Sequence, residues 1–247
     1  MPLKSGGAVD NENMRGRSNT GLISIGRIVV APPPLPPIKT PTVTYFSSGF
    51  EPGNFSEWTA QIRNPVIDSV VKHDGNYSSR SEDDLFYDEG IEQNMIGFGL
   101  PTVYYIHGWV RVDTLVFDPS IGVGGVALLG IKAAAGGVGG QRGLFFYARR
   151  SAGVLKFGVY DYDLYVDYPD IMTFVLGKWY KTEMKVTRDP ANGTLELYVD
   201  SVLKQTITGT TTNYNWLWAG AGMSPAVSKT GLGNYKSYVD TIAVDDP

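Results

Sequence analysis

The chain of 247 residues contains no cysteine. That excludes disulfide frameworks, thiolate metal sites, iron–sulfur ligation and thiol nucleophiles. Histidine is almost as scarce: only His73 and His107 occur. A multi-histidine metal centre is therefore not expected. Charged residues make up only 19%, too few for long solvated helices. No run approaches the roughly 20 apolar residues of a membrane-spanning helix. The segment 22–31 reads LISIGRIVVA and is interrupted by Arg27. The first twenty residues lack an apolar h-region, so export by the usual secretory route is not expected. A net charge of −4 disfavours nucleic acid as a partner of the whole chain.

What is present is glycine, 30 residues, and aromatic side chains at 12%, a mixture suited to short strands joined by turns. The charge is unevenly spread. Residues 1–40 carry five basic and two acidic side chains, and the remainder carries 16 basic and 23 acidic. A +3 arm is thus joined to a −7 body. The joint is the run APPPLPP at residues 31–37, which cannot donate backbone hydrogen bonds and favours an extended spacer. We expect an extended basic arm at 1–40 and a single domain at 41–247. Having no core of its own, the arm would become ordered only against a neighbouring subunit. Leu22–Val30 could supply an added strand there.

From residue 43 onward the pattern is all-β. Apolar–polar alternation marks strands at Val43–Phe46, Val66–His73, Tyr104–Asp113, Trp179–Thr187, Leu195–Val199, Leu203–Ile207, Tyr214–Ala219 and Tyr238–Val244. Leu144–Arg149 and Leu155–Tyr160 form a hairpin across Ser151–Gly153, and Asn192-Gly193 is a strong turn signal. Gly122–Gly143, rich in glycine, reads first as a mobile loop and second as a flat-packed strand pair. Such a series fits an antiparallel two-sheet sandwich.

The run Gly49-Phe50-Glu51-Pro52-Gly53-Asn54-Phe55-Ser56-Glu57-Trp58 resembles the opening of concanavalin A-like lectin/glucanase (laminin-G-like) jelly rolls. His73–Arg80, Tyr104–Val112, Gly177–Tyr180, Leu197–Asp200 and Val239–Asp245 are similar to later segments of that family, in order, although Ser201 stands where the family's LYVDG hairpin has glycine. The resemblance covers residues 45–246. It implies a concanavalin A-like jelly roll whose last strand pairs near its first. Trp58, Trp109 and Trp179 are expected in the inter-sheet core.

The same resemblance frames the search for chemistry. Hydrolases of the family carry a Glu-x-Asp-x-x-Glu strand, which is absent here. Its alginate lyases carry a Gln-x-His strand, for which Tyr105-Ile106-His107 is only a partial match, and a tyrosine motif to which Gly158-Val159-Tyr160 is loosely similar. No enzymatic activity is expected on these grounds. Two candidate binding groups remain. If 158–168 is one strand, Asp161, Asp163 and Asp167 share a face and, with Asp170, could offer oxygen ligands to Ca2+. Tyr160 and Tyr162 lie beside them as sugar platforms. Tyr214, Trp216 and Trp218 alternate along one strand and suit core packing, a glycan or a subunit surface. No cofactor is required by any of this.

These features lead us to expect a structural or adhesive protein, most simply a virion component such as a bacteriophage capsid-decoration, fibre or tail protein. Its arm would bind other structural subunits, within a homo-oligomer or larger assembly formed in a host cytoplasm, and its lectin-like sandwich would face outward toward glycans. The alternatives are the carbohydrate-binding module of a surface or secreted protein, and a glycan lyase or hydrolase.

Overall fold

A computed structural model of the chain describes residues 43–83, 88–117, 123–138, 142–151, 153–161, 166–209, 214–223 and 232–247. These all belong to one unit, 39–247, so the arm at 1–40 and the Leu22–Val30 strand lie outside the described residues. The strands are β1 (Thr44–Ser48), β2 (Ala60–Ile62), β3 (Val66–Asp68), β4 (Ser78–Asp83), β5 (Glu89–Asn94), β6 (Val103–Phe117), β7 (Val123–Lys132), β8 (Gly143–Ser151), β9 (Val154–Asp161), β10 (Val166–Thr173), β11 (Trp179–Thr187), β12 (Gly193–Val199), β13 (Val202–Gly209), β14 (Trp216–Met223) and β15 (Leu232–Asp245). One 3₁₀ turn, Ile96–Phe98, interrupts them.

They form two antiparallel sheets. One runs β13-β12-β11-β6-β15-β4-β3, with β1 also paired to β15, and the other runs β10-β9-β8-β7-β14-β5-β2. Thr44 opposes Asp245, so the last strand closes on the first as expected. β11 shows why the sequence folds this way. Tyr180, Thr182, Met184 and Val186 are buried, and the residues between them are not. Period-two alternation thus sends one face of the strand inward. Phe50, Phe55, Trp58, Ile106, Val110, Phe146, Phe157, Leu197, Leu217 and Val244 belong to the inter-sheet core.

The GFEPGNFSEW run is architectural. Phe50 is fully buried despite a positive φ of 62°, and Trp58 lies parallel to it at 6.1 Å. The Trp58 indole N–H donates to Ser48 Oγ, whose hydroxyl donates to Glu57.

Several local expectations change. Val66–His73 is a strand only to Asp68, because Asp68 Oδ1 accepts the N–H groups of Val70 and Val71 and turns the chain there. Gly122–Gly143 is not one loop: among its described residues Val123–Lys132 is β7, and Gly143 begins β8. Its glycines let rings lie flat on the sheet, for a Cβ on Gly130 would fall 2.4 Å from the Phe145 ring. Residues 158–168 are not one strand either. β9 ends at Asp161, and β10 returns with Val166 opposite Asp161 and Asp167 opposite Tyr160. Asp161 and Asp167 therefore occupy positions of opposite parity. Neither Trp109 nor Trp179 is in the core. Both stand half-buried on the outer face of the eight-stranded sheet.

Candidate functional site

On the outer face of that sheet, β6 contributes Tyr105, His107, Trp109 and Arg111, and β11 contributes Trp179, Lys181, Glu183 and Lys185. Register places Trp109 beside Lys181 and His107 beside Glu183. Alternation carries both tryptophans outward because they share the parity of the polar residues on their strands.

A third element completes the group. The β3–β4 connection folds back over the sheet and lays His73 on Trp109, ring centroids 3.6 Å apart and nearly parallel. Trp179 meets the same imidazole edge-on at 5.8 Å and Tyr238 at 6.4 Å. Asp240 pins the connection from beneath. Its Oδ2 accepts the N–H groups of His73 at 2.8 Å and Asp74 at 3.1 Å. Its Oδ1 accepts the Thr241 N–H and hydroxyl. Burial pushes the Asp240 carboxyl up, against the pull of these donors. Glu51 accepts the Asn76 N–H and side-chain amide, tying the loop at its other end.

Beside this cluster is a cavity of about 200 Å³ lined by His107, Gly108, Trp109, Lys181 and Thr241. His73 covers one face of Trp109, and the tryptophan also lines this cavity. His107 Nε2 lies 3.2 Å from Asp245 Oδ2. Burial lowers the His107 pKa, with Asp245 opposing. In its neutral form, a ring that donates from Nε2 to Asp245 holds its lone pair on Nδ1. Arg111 is committed to Asp113, Lys185 to Glu196 and Lys178 to Asp200. Among the described residues the Lys181 ammonium has no ion-pair partner. An aromatic wall, an uncommitted cation and a neutral imidazole thus meet at one small cavity.

The candidates from sequence fall elsewhere. Tyr160 and Trp218 are buried on the outer side of the seven-stranded sheet with Phe145, Tyr147 and Val138. Tyr214 is buried in the main core, and Trp216 is half-buried. Burial removes Tyr160, Tyr214 and Trp218 from any open platform. Tyr162 and Asp163 lie outside the described residues. Asp161 is buried, and Asp167 and Asp170 are positions on β10. Among the described residues no group of three or more His, Asp or Glu could hold a metal ion. Tyr105 and His107 sit on the eight-stranded sheet and Tyr160 on the seven-stranded one, so those two partial lyase motifs belong to opposite faces.

Behind Trp218 lies a buried polar centre that the sequence did not announce. Lys132 and Glu92 are both fully buried and paired. Lys132 Nζ also donates to the Gly137 carbonyl. Glu92 accepts the N–H groups of Gly136 and Gly137, and Asp88 accepts that of Val138. Every contact is internal, so this centre straps residues 136–138 onto the sheet.

No family profile and no curated protein sequence matches the chain. Solved structures do. An endo-β-1,4-glucuronan lyase from the fungus Trichoderma reesei has a TM-score of 0.58 at 12% identity, covering 83% of this chain and 96% of that one. An alginate lyase from Aplysia kurodai has 0.57 at 12% identity, covering 83% and 100%. The cellulose-induced protein Cip1 has 0.56 at 15% identity, covering 82% and 97%. The fold is the concanavalin A-like jelly roll, the scaffold of these polysaccharide-related proteins. The expectation of a non-enzymatic protein is overturned by this likeness. Motif absence was its only ground, and two polysaccharide lyases match 83% of this chain in fold at only 12% identity.

Proposed function

We propose that this jelly roll acts on an acidic polysaccharide, engaging it on the outer face of the eight-stranded sheet. The observation that carries the reading is the cavity where Trp109, Lys181 and His107 meet. A sugar ring in that cavity stacks on Trp109, and its carboxylate pairs with Lys181, the lysine left uncommitted among its neighbours. The glucuronan and alginate named for the similar structures are polymers of that kind.

Lyase chemistry is the second reading, favoured by His107. A neutral imidazole held by Asp245 is poised as a base. With Lys181 neutralising the sugar carboxylate, Nδ1 would take the proton next to that carboxylate. The C–O bond to the neighbouring sugar would break, its oxygen leaving as a hydroxyl after taking a proton from solvent, and a carbon–carbon double bond would form. The virion placement rests on residues 1–40, outside the described residues, and draws no support from this site.

Both readings are tested together by titrating the protein with oligoglucuronates and oligoalginates and following unsaturated-uronate absorbance. Binding is expected, lost in Trp109→Ala and weakened in Lys181→Met. Absorbance that grows with time and vanishes in His107→Ala establishes the lyase. Binding unchanged in Trp109→Ala overturns the site.

A further inference from the structure

A second cavity, of about 360 Å³, is lined by Arg63, Asn64, Val66, Arg80, Glu82 and Glu89. Strand register ties it to the aromatic cluster. Trp179 opposes Arg111, Arg111 opposes Tyr238, Tyr238 opposes Arg80, and Arg80 opposes Val66. These positions form one cross-strand row on the outer face. At the Trp109 end the side chains touch: the Arg111 guanidinium lies 5.9 Å from the ring centre of the buried Tyr238, and the Trp179 ring lies 6.4 Å from it.

The lining differs in kind from that of the first cavity. It has no ring. It is lined by two guanidinium groups, two carboxylates and an amide; Glu89 is buried and accepts the Glu82 N–H, which leaves Arg63, Asn64, Arg80 and Glu82 as the groups that face a ligand. Arg80 is fixed by Asp68 at 3.0 Å and lies 3.6 Å from Glu82, and Glu82 is fixed by Lys236 at 2.7 Å. Burial raises the Asp68 carboxyl, but the Val71 and Val70 N–H groups and Arg80 together bring it below the usual range. This set is therefore preorganised. Arg63 sits at φ 59°, a left-handed conformation that costs an arginine energy.

We propose that this cavity is a second subsite for the same polymer, holding by hydrogen bonds the hydroxyl groups of a sugar several rings along the chain. The proposal rests on the acidic-polysaccharide reading. Three strand steps, β6 to β15 to β4 to β3, separate Trp109 from Val66, about 14 Å across the sheet. The ligand is then an extended oligosaccharide, and a mono- or disaccharide reaches only one end.

The test is calorimetric titration with oligouronates of increasing length. Affinity should rise with length until the span is covered and then level off. Arg63→Gly, which keeps the left-handed backbone without strain, and Asn64→Ala should leave the shortest ligands unaffected. Each should weaken the longest by about tenfold. Trp109→Ala should weaken all lengths. Affinity independent of length, or loss in Arg63→Gly equal for short and long ligands, overturns the second subsite alone. Binding at no length overturns both this proposal and the one it rests on.

Discussion

Replacing Asp240 by asparagine tests the construction of the site most directly. Both carboxylate oxygens are in use, Oδ2 by the His73 and Asp74 N–H groups and Oδ1 by Thr241. An amide keeps one acceptor and puts an NH₂ where the other was, so two donors lose their partner and face another donor. A net hydrogen bond is worth about 1 kcal/mol, and those to a charged group more. The expected loss is about 2–3 kcal/mol of unfolding free energy. In a domain of this size that is roughly 4–12 °C in Tm. The His73 stack on Trp109 should loosen with it. Denaturant unfolding gives the stability, and hydrogen exchange at the His73 and Asp74 amides locates the effect. The raised Asp240 pKa also fixes a sign. Stability from this group is full at low pH and is lost as pH rises through its folded-state pKa, a step that Asp240→Asn should abolish. Wild-type protection of both amides in the variant would refute the anchoring role.

Other outcomes follow from the same geometry. Glu92→Gln leaves Lys132 buried without its counter-charge and should cost about 3–5 kcal/mol by urea unfolding; Glu92→Gln with Lys132→Met should recover much of it, and no recovery would count against the pair. Asp200 and Ser201 both have positive φ in the β12–β13 turn, so Ser201→Gly should raise stability by up to about 1 kcal/mol, and a drop would show that the serine makes a compensating contact. Because burial lowers the His107 pKa, its contribution to stability is complete above the unfolded value of about 6.5. It should fall as pH drops below that toward the folded-state pKa, and His107→Gln should remove this component from the pH–stability profile.

Much of the jelly roll was legible along the chain, because period-two patterning reports a half-buried strand wherever one face meets water. Trp179–Thr187 reads as a strand and is one, with the same bounds. The alternation even carried the fact that Trp109 and Trp179 face outward, since their strand neighbours of equal parity are charged or polar. Ring size argued the opposite and was the poorer guide. Where strands are buried on both faces, that signal disappears. β7 reads VGGVALLGIK and β5 reads EGIEQN. Neither alternates, since β7 has core on one side and the strap at 136–138 on the other. Composition, spacing and parity determined a cysteine-free two-sheet β-sandwich and the sense of its strands. Only the tertiary structure decided which rings meet a ligand. Trp218 was covered by a segment from another part of the chain. His73, read from sequence as the last residue of a strand, was carried onto Trp109 by a carboxylate 167 positions away, a distance over which no local pattern holds information.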